Sequence, residues 1–335
     1  MADIAPPENP IETILRIGAG LWQSRALWVA ARLRVADAID DAPVAIEGIA
    51  GKTRTRPDML ERLLNALAAI GIFARGEDGR FTHSELSRLL RSDHPLSQRA
   101  FVESVFGDEH YEGWGEIEKS VRTGETGFSR HYGTDVFAYF TANPEAGQLF
   151  SEAMTATTRL MEAVLLATYT PPPFTLAVDV GGSQGTLISG LLGSSPDARG
   201  ILFDLPDLVE RARHNLANDR LEAIGGDFFK SVPEADLYLL KLILHDWTDE
   251  QSEAILTNIR KAIRPGGHVV IIESILPEEV QPHPGYFMDL NMMVMTGGRE
   301  RRASEYGAML EKTGFRVEKV VPTPTLLSVV EAVAV

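Results

Sequence analysis

The pattern of apolar and polar positions changes about half way along the chain. From residue 11 to about residue 168, apolar residues recur three and four positions apart, which is the period of amphipathic helices. Pro57 suits the first turn of one such helix. Short strands at 72–74 and 80–82 are predicted to pair around the Asp78-Gly79 turn. The first part of the chain therefore predicts a mainly helical, winged-helix-like outline.

Three consecutive prolines at 171–173 follow a long helical stretch that is predicted from 134 to 168. Because neither a helix nor a central strand continues through such a run, the prolines mark a domain boundary. The sequence is therefore divided into a winged-helix-like domain at 1–100, a helical connector with pocket helices at 101–170, and a sheet-forming domain at 171–335.

Beyond the prolines, short apolar strands alternate with helices, which is typical of a parallel sheet covered on both faces. The predicted strands are 176–180, 200–204, 221–225, 237–242 and 269–273. The helix after the fourth strand begins with a capping box, Thr248 and Gln251, and its apolar side extends to Ile263. Two later runs, 315–321 and 325–333, are too close for a parallel crossover and predict an antiparallel hairpin. The expected fold class is α/β, a Rossmann-like sheet whose last strand runs antiparallel, preceded by a mainly helical domain.

Composition narrows the classes of function. The 335 residues carry 32 basic and 47 acidic side chains, a net charge of -15, which disfavours generic binding to nucleic acids and anionic membranes. The absence of cysteine excludes a disulfide framework, a thiolate nucleophile and a Cys-ligated metal site. The chain has neither a signal-peptide pattern at its start nor an apolar run of membrane-spanning length, so a cytoplasmic location is expected.

The first predicted strand ends in an acid and a glycine loop. Asp179 is followed by Gly181, Gly182 and Gly185, which lead into a helix. Such glycines let a ligand approach the backbone closely, with the helix N-terminus beyond. The spacing differs from the dinucleotide fingerprint, and glycines after a strand are often only a tight turn.

The second and third strands end in acids at the same edge, where ligands bind in open α/β sheets. Asp204 is suited either to accept both hydroxyls of a ribose or to cap the helix that follows. Asp227 can accept from an adenine amine and Phe228 can stack on the base, although a lone phenylalanine is more often a core residue. Three consecutive strands thus predict a nucleoside-binding edge.

The fourth strand brings a lysine and a histidine to this edge. Lys241 lies in an apolar run, where an amine is costly unless it reaches a cleft or a partner. His245 follows it, with Asp246 beside it, Glu273 at the end of the next strand and Glu300 on a later loop. A carboxylate that holds an imidazole fixes its tautomer and stabilises its cation, which describes a general base. A metal site at His245 and Asp246 is the second interpretation, since the spacing matches no standard cage.

These motifs resemble those of the class I S-adenosylmethionine-dependent O-methyltransferases of the caffeate and acetylserotonin type, including bacterial polyketide-tailoring relatives. The resemblance covers nearly the whole chain. Its most specific segments are Val178-Asp179-Val180-Gly181-Gly182, Phe203-Asp204-Leu205-Pro206, Gly226-Asp227-Phe228-Phe229, Leu244-His245-Asp246-Trp247 and Gly297-Gly298-Arg299-Glu300-Arg301. One departure is Ser183, which stands where relatives usually have a third glycine; a small polar residue is expected to fit there.

The resemblance implies a role for each motif. The residues implied to bind S-adenosylmethionine, or its product S-adenosylhomocysteine, are Asp179, Gly181, Gly182, Asp204, Leu205, Asp227, Phe228 and Lys241. Within this set, the glycine loop would hold the methionine part, Asp204 the ribose, and Asp227 with Phe228 the adenine. His245 would deprotonate the acceptor hydroxyl, with Glu273 and Glu300 flanking and orienting it. No metal is required in this family.

The acceptor is expected to be a small aromatic molecule with a phenolic hydroxyl, bound between the domains. The candidate contacts are Met154, Met161, Asp246, Asn291, Met292 and Met295. Methionine adapts to flat apolar ligands, although packing in the core explains any one of these methionines at least as well. In the family, the N-terminal domain forms a homodimer; Trp22, Leu27 and Trp28 suit such an interface, and packing within one chain explains them equally.

Rival functions stay open on the sequence. A winged-helix regulator that senses a ligand would place the basic cluster of Lys52, Arg54 and Arg56 on DNA, although three charges without a wider positive stripe are usually solvated surface. A nicotinamide dehydrogenase is disfavoured by the glycine spacing and the antiparallel last strand. Some relatives keep the cofactor but perform hydroxylation or decarboxylation, often after losing the base. Retention of the histidine and both glutamates favours methyl transfer.

Overall fold

The computed structural model describes residues 9–213, 216 and 219–335. Its helices are α1 Pro10–Arg32, α2 Val35–Ala38, α3 Ile46–Thr53, α4 Pro57–Ala69, α5 Glu85–Arg88, α6 Arg99–Val105, α7 Asp108–Gly115, α8 Ile117–Thr123, α9 Gly127–Tyr132, α10 Val136–Ala142, α11 Pro144–Thr168, α12 Thr186–Gly193, α13 Pro206–Arg213, α14 Asp249–Ala262, α15 Gly285–Met295 and α16 Ala303–Lys312. Its strands are β1 Phe73–Arg75, β2 Phe81–His83, β3 Leu176–Val180, β4 Arg199–Asp204, β5 Leu221–Gly225, β6 Ala235–Lys241, β7 Ile263–Leu276, β8 Arg301–Arg302, β9 Phe315–Pro322 and β10 Leu327–Ala334. The chain divides after Glu109 into two compact units, called unit 1 and unit 2.

Unit 1 is mainly helical and has its own core. Helix α4 begins with Pro57 and buries Leu60, Leu64 and Leu67 along one face, as the apolar period predicts. Strands β1 and β2 pair antiparallel and lie one residue later than predicted. The predicted outline of helix, helix and hairpin is therefore present as α3, α4 and the β1–β2 pair.

The three residues expected at a dimer interface have different surroundings. Trp22 is 76% exposed on α1. Leu27 packs against the core of unit 1, and the Trp28 indole N–H donates to the Glu103 carbonyl at 3.1 Å. Of the three, Trp22 alone offers a largely exposed side chain, while packing within one chain accounts for the other two.

The helical stretch predicted over 134–168 consists of two helices, α10 and α11, that meet at Asn143. Pro144 is the physical reason for the break. A proline disfavours the helical conformation in the residue before it and lacks the N–H that an uninterrupted helix needs, yet it fits the first turn of a new helix. Helix α11 then ends at Thr168, before the prolines at 171–173, as predicted.

The main sheet lies in unit 2 and has the strand order β5-β4-β3-β6-β7-β10-β9, with β8 pairing with β7. Strands β5, β4, β3, β6 and β7 are parallel, and β10 is antiparallel to both of its neighbours. The predicted mixed sheet with an antiparallel last strand is confirmed. Alternate residues of a strand face opposite sides, so Ala177 packs toward α11 and α12 while Val178 packs toward α14 and α16.

Helix α14 shows how local sequence positions an element beside the later site. Thr248 Oγ accepts the Gln251 N–H at 3.3 Å, and Gln251 Oε1 accepts the Thr248 N–H at 3.1 Å, which confirms the predicted capping box. The helix ends at Ala262, however, and Ile263 is the first residue of β7. The expected extension of the helical apolar face to Ile263 is wrong: Ile263 has extended backbone, with φ -71° and ψ 136°, and Pro265 disfavours the helical conformation in Arg264, so the helix does not continue.

Candidate active site

His245 and Glu300 form a buried pair just beyond the end of β6. The imidazole Nδ1 donates to Glu300 Oε1 at 2.8 Å, and the two side chains are 7% and 0% exposed. The Glu300 N–H donates to Asp289 Oδ1 at 2.9 Å, which fixes the loop that carries Glu300. Because Nδ1 is engaged by the carboxylate, Nε2 is the nitrogen left for exchange of a proton.

Glu273 acts on the backbone that carries His245 rather than on its ring. Its Oε1 accepts the N–H groups of Ile243, Leu244 and His245 at 3.1, 2.7 and 3.3 Å. Its Oε2 accepts the hydroxyl of Tyr306. The sequence predicted both glutamates flanking and orienting the imidazole; the structure places Glu300 on the ring and Glu273 under the short 3-10 turn Leu244–Asp246.

Gly298 explains how Glu300 reaches His245. A Cβ atom at this position would lie 2.0 Å from the His245 carbonyl oxygen and 2.4 Å from the Asp246 carbonyl carbon. These are backbone atoms, which cannot move aside as a flexible side chain can. Only glycine therefore lets the loop pass close enough to bring Glu300 onto the imidazole.

Nearby carboxylates decide the protonation of the histidine. Burial lowers the pKa of His245, but the charges of Asp246, Glu273 and Glu300 and the hydrogen bond that the imidazole donates to Glu300 outweigh it and raise the pKa to about 9. Asp246 Oδ1 lies 3.8 Å from Nε2. Burial raises the pKa of Asp246 to about 6, against the lowering effect of His245. The site thus favours imidazolium, the form that a base reaches once it has taken a proton.

The alternative of a metal site now has a concrete geometry. His245, Glu273 and Glu300 bring one ligand atom each within 4.8 Å of one another, a different set from the His245 and Asp246 pair considered on the sequence. Both oxygens of Glu273, however, already accept N–H or O–H donors. The hydrogen atoms of these donors carry partial positive charge and occupy the side of the carboxylate where a cation would bind. They therefore argue against a metal ion held by these three residues.

At the end of β3, the carboxyl group of Asp179 is buried next to the closely packed glycine loop. The Asp179 Oδ2 atom is buried and has no hydrogen-bond partner within the described residues. Burial raises the pKa of this carboxyl group to about 7, although Lys241 acts in the opposite sense. Gly182 lies beside the same carboxyl group. Gly181 has φ 71°, a backbone conformation that favours glycine, and a Cβ there would lie 2.4 Å from Ile243 Cδ1.

Asp204, at the end of β4, binds two backbone amides. Its Oδ2 accepts the Ser183 N–H at 2.8 Å and its Oδ1 accepts the Leu205 N–H at 2.7 Å. Neither donor belongs to α13, so these two hydrogen bonds do not support the helix-cap alternative. Burial raises the Asp204 pKa while both amides oppose the shift. Leu205, next to it, is 44% exposed.

Beyond β5, the acid and the aromatic residue also have local partners. Asp227 Oδ1 accepts the Phe229 N–H at 2.9 Å, and its Oδ2 lies 3.3 Å from the Lys230 amine. The Phe228 ring packs partly against the sheet core, with its centroid 5.9 Å from that of Trp247 in an edge-on contact. Phe228 therefore combines core packing with a position beside the glycine loop, close to Gly181.

Lys241 and Met161 line the same small cavity, between α11, the sheet and the turn that follows β9. Burial lowers the pKa of the Lys241 amine to about 8, although Asp179 and Glu273 raise it. Glu162 lines this cavity too, and burial raises its pKa. Met154 is half-buried on the same helix as Met161. The structure thus brings Met161, expected near the acceptor, and Lys241, expected near the cofactor, to one place.

The residues of α15 that were expected to contact the acceptor differ in their partners and in their packing. The Asn291 side-chain oxygen accepts the Trp114 indole N–H at 2.8 Å. Met292 and Met295 are buried, and Met295 belongs to a core cluster with Phe128. Core packing, the alternative considered on the sequence, accounts for Met295.

Two residues near His245 received no role from the sequence. Tyr306 holds the second oxygen of Glu273. Arg301 is 1% exposed and donates to the carbonyls of Leu244 and Trp247, each at 2.9 Å. Arg301 is the first residue of β8 and directly follows Glu300, and its place in the segment Gly297-Gly298-Arg299-Glu300-Arg301 is the signal for it in the sequence. For Tyr306, 33 positions from Glu273, the sequence offers no signal.

Two domain families match this chain. The model of the O-methyltransferase domain matches residues 114–316, and that of the O-methyltransferase dimerisation domain matches residues 15–93. The chain belongs to the O-methyltransferase family. It is 40% identical to phenazine O-methyltransferase PhzM of Lysobacter antibioticus over 329 residues, which covers 96% of both chains.

Two solved structures of O-methyltransferases resemble this one over nearly its full length. Human N-acetylserotonin methyltransferase in complex with S-adenosylmethionine has a TM-score of 0.92, at 27% identity and 99% coverage of both chains. An O-methyltransferase of neocarzinostatin biosynthesis, solved with S-adenosylmethionine and 2-hydroxy-5-methyl naphthoic acid, has a TM-score of 0.80, at 32% identity and 93% and 96% coverage. The expected family, fold class, cofactor and enzyme class are confirmed: this O-methyltransferase uses S-adenosylmethionine.

The comparisons favour this O-methyltransferase activity over a DNA-binding regulator. The basic cluster considered for DNA is partly neutralised, since Lys52 lies 2.9 Å from Asp40 and Arg56 lies 2.8 Å from Asp58. Within the residues that the structure describes, no helix combines the length and hydropathy that crossing a bilayer requires.

Proposed function

We propose that this O-methyltransferase moves the methyl group of S-adenosylmethionine to a phenolic hydroxyl of a small aromatic acceptor, with His245 as general base. The buried contact between His245 Nδ1 and Glu300 carries the proposal. It holds the ring in one tautomer and leaves Nε2 to receive the proton of the acceptor. Glu273 positions the turn on which the histidine stands.

The chemistry of the strand ends suits this cofactor. S-adenosylmethionine supplies a methyl group that its sulfonium already activates. The unpartnered oxygen of Asp179 is an acceptor suited to the amino group of the methionine part. Asp204 has lone pairs left for the ribose, the exposed Leu205 can cover an apolar face, and Asp227 with Phe228 can hold the adenine. Lys241 would lie near the adenosyl group.

The pKa values suit proton transfer from a phenol. A phenol has a pKa near ~10 and a free imidazole near ~6.5, a mismatch that would make proton removal costly. The surrounding carboxylates raise the pKa of His245 to about 9, which narrows this gap. Such a base is largely protonated at neutral pH, so its active fraction grows as the pH rises. Asp246 and Glu300 then stabilise the imidazolium after the proton has moved.

The acceptor class is supported by relatives and by nearby side chains. The named relatives act on a phenazine and on N-acetylserotonin, and one is solved with a hydroxylated naphthoic acid. In this chain, Met154, Met161 and Asn291 would contact the flat acceptor, whereas Met292 and Met295 are buried and Met295 packs with Phe128. Asp246, close to Nε2, would contact its hydroxyl.

We also infer that the protein is a homodimer formed through its N-terminal domain. The dimerisation-domain match begins at residue 15 and so includes the larger part of α1, from residue 15 to Arg32. On this helix Ile14, Ile17 and Trp22 are 70%, 68% and 76% exposed, an apolar surface that a second copy of the chain would cover. The division into domains at 1–100, 101–170 and 171–335 and the cytoplasmic location stay predictions.

The decisive experiment is methyl transfer to a panel of phenols. Mass spectrometry of the acceptor should show the gain of one methyl group with the wild-type protein. The His245→Ala variant should lower turnover by at least ~10²-fold while it binds S-adenosylhomocysteine normally in calorimetry. The matched control is His268→Ala, which changes a histidine nearer the start of β7 than Glu273 and should leave the protein active. Loss of cofactor binding with an unchanged rate per bound enzyme would contradict the assignment of the base, and an acceptor that loses carbon dioxide or gains oxygen would contradict methyl transfer.

A further inference from the structure

Ser183 occupies a backbone conformation that disfavours a serine. Its φ is 53°, in the left-handed region, where glycine pays no steric penalty. The family resemblance places a glycine at this position in relatives. A serine that occupies this strained conformation is expected to make a compensating contact through its side chain.

The side chain of Ser183 binds a helix rather than solvent. Its Oγ lies 2.9 Å from the Oγ of Ser151, a buried residue of α11. The Gln184 amide also donates to Ser151 Oγ at 3.1 Å. Two successive residues of the glycine loop therefore bind one hydroxyl on α11.

The backbone of Ser183 points in another direction. Its N–H donates to Asp204 Oδ2 at 2.8 Å, the acid assigned to the ribose. Ser183 thus touches the ribose acid through its backbone and α11 through its side chain. Helix α11 also carries Met154 and Met161, which are assigned to the acceptor.

We propose that the Ser151–Ser183 hydroxyl pair couples the cofactor loop to helix α11, so that binding of the cofactor orders the acceptor side of the site. Ser183 is a positioning residue in this proposal. The inference rests on the proposed function, because it takes the glycine loop to be the cofactor site. A glycine at 183 would remove the strain and break this coupling at the same time.

The test compares the affinity for S-adenosylhomocysteine, which should fall, with the stability of the protein, which should not. Ser183→Gly should leave the urea midpoint unchanged or raise it, because the strain is released, yet weaken S-adenosylhomocysteine binding in calorimetry roughly 3- to 10-fold, the loss expected for one hydrogen bond. Ser151→Ala should weaken binding to a similar extent. The double variant should bind no more weakly than Ser151→Ala alone, because Ser151→Ala already removes the bond to Ser183 together with the bond from Gln184.

Hydrogen exchange tests the coupling itself. S-adenosylhomocysteine should protect the amides of α11 in the wild type, and this protection should be largely lost in Ser183→Gly, while the glycine loop stays protected. Thr157→Ala is the control, because the Thr157 hydroxyl lies on α11 but donates to its own helix at Ala153, and it should behave as wild type.

The outcomes separate the two proposals. If Ser183→Gly binds S-adenosylhomocysteine as tightly as the wild type, or if α11 is protected equally in both, the coupling does not exist and the proposed function is unaffected. If binding and the urea midpoint fall together, Ser183 has only a structural role. A wild-type protein that binds no S-adenosylhomocysteine would contradict the proposed function on which the inference rests.

Discussion

Glu273 and His245 are joined through the backbone: the His245 N–H lies 3.3 Å from Glu273 Oε1, and the imidazole contacts Glu300 instead. The two glutamates therefore have different tasks. Glu300 fixes the tautomer of the ring and, together with Asp246, raises its pKa, whereas Glu273 holds the backbone of the turn. Changes at the two residues should consequently be distinguishable in kinetics.

The Glu300→Gln variant should shift the pH dependence of the reaction to lower pH. The proposed general base acts as the neutral imidazole, so kcat/KM should rise with pH through the pKa of His245, which its surroundings raise to about 9. Because Glu300 raises that pKa, its removal lowers it, by about 1 to 3 units for a neighbouring charge. The measurement is kcat/KM between pH 6 and 10. Glu311→Gln, an exposed carboxylate on α16, is the control, and an unmoved or upward-shifted profile in Glu300→Gln would count against the role of Glu300.

The Tyr306→Phe variant should destabilise the protein and impair turnover. It leaves the buried Oε2 of Glu273 without its donor, which costs about 1–3 kcal/mol of unfolding free energy, more if the oxygen stays charged. Urea unfolding followed by fluorescence measures the loss. Tyr286→Phe is a matched control, because the buried Tyr286 hydroxyl has no hydrogen-bond partner within the described residues. Its stability should be unchanged or higher, and an equal loss in both variants would show that the bond to Glu273 is not the cause.

The Gly298→Ala variant should lose most of its turnover. Its added methyl group would meet backbone atoms of His245 and Asp246, so the loop must retreat and carry Glu300 away from the imidazole. Gly307→Ala is the control, since nothing lies within 4 Å of the added carbon on α16. That change should stabilise the helix by about 0.5–1 kcal/mol. Initial rates and urea unfolding measure both variants, and full activity in Gly298→Ala would refute the close passage of the loop.

The double variant Ile14→Glu, Ile17→Glu should convert a dimer into a monomer. Both residues are exposed on α1, three positions apart, and charge on this surface would have to be buried in a dimer. Light scattering after size exclusion reports the mass. Val121→Glu on α8 changes an equally exposed apolar residue and should leave the mass of the wild type unchanged. A wild-type protein that runs as a monomer contradicts the proposed homodimer.

The sequence by itself determined the strands of the main sheet, their order along the chain and the edge at which the candidate site lies, but not every helix boundary. Apolar periods of 3.6 and 2, together with prolines, glycines and caps, act within a few residues, so α4, the parallel strands and the last hairpin could be predicted locally. Strand ends are equally local, which is why the acids of β3 and β4 and His245 were found from the sequence.

The tertiary structure decided which side chains meet. Glu273 binds the turn and not the ring, Tyr306 completes its hydrogen bonds, and Met295 enters a core cluster. These contacts join positions that are far apart along the chain. Local periodicity indicates which face of an element is apolar, but only packing decides which polar atoms meet. A hydrogen bond forms only when the donor and the acceptor are placed to within a few tenths of an ångström of the ideal separation.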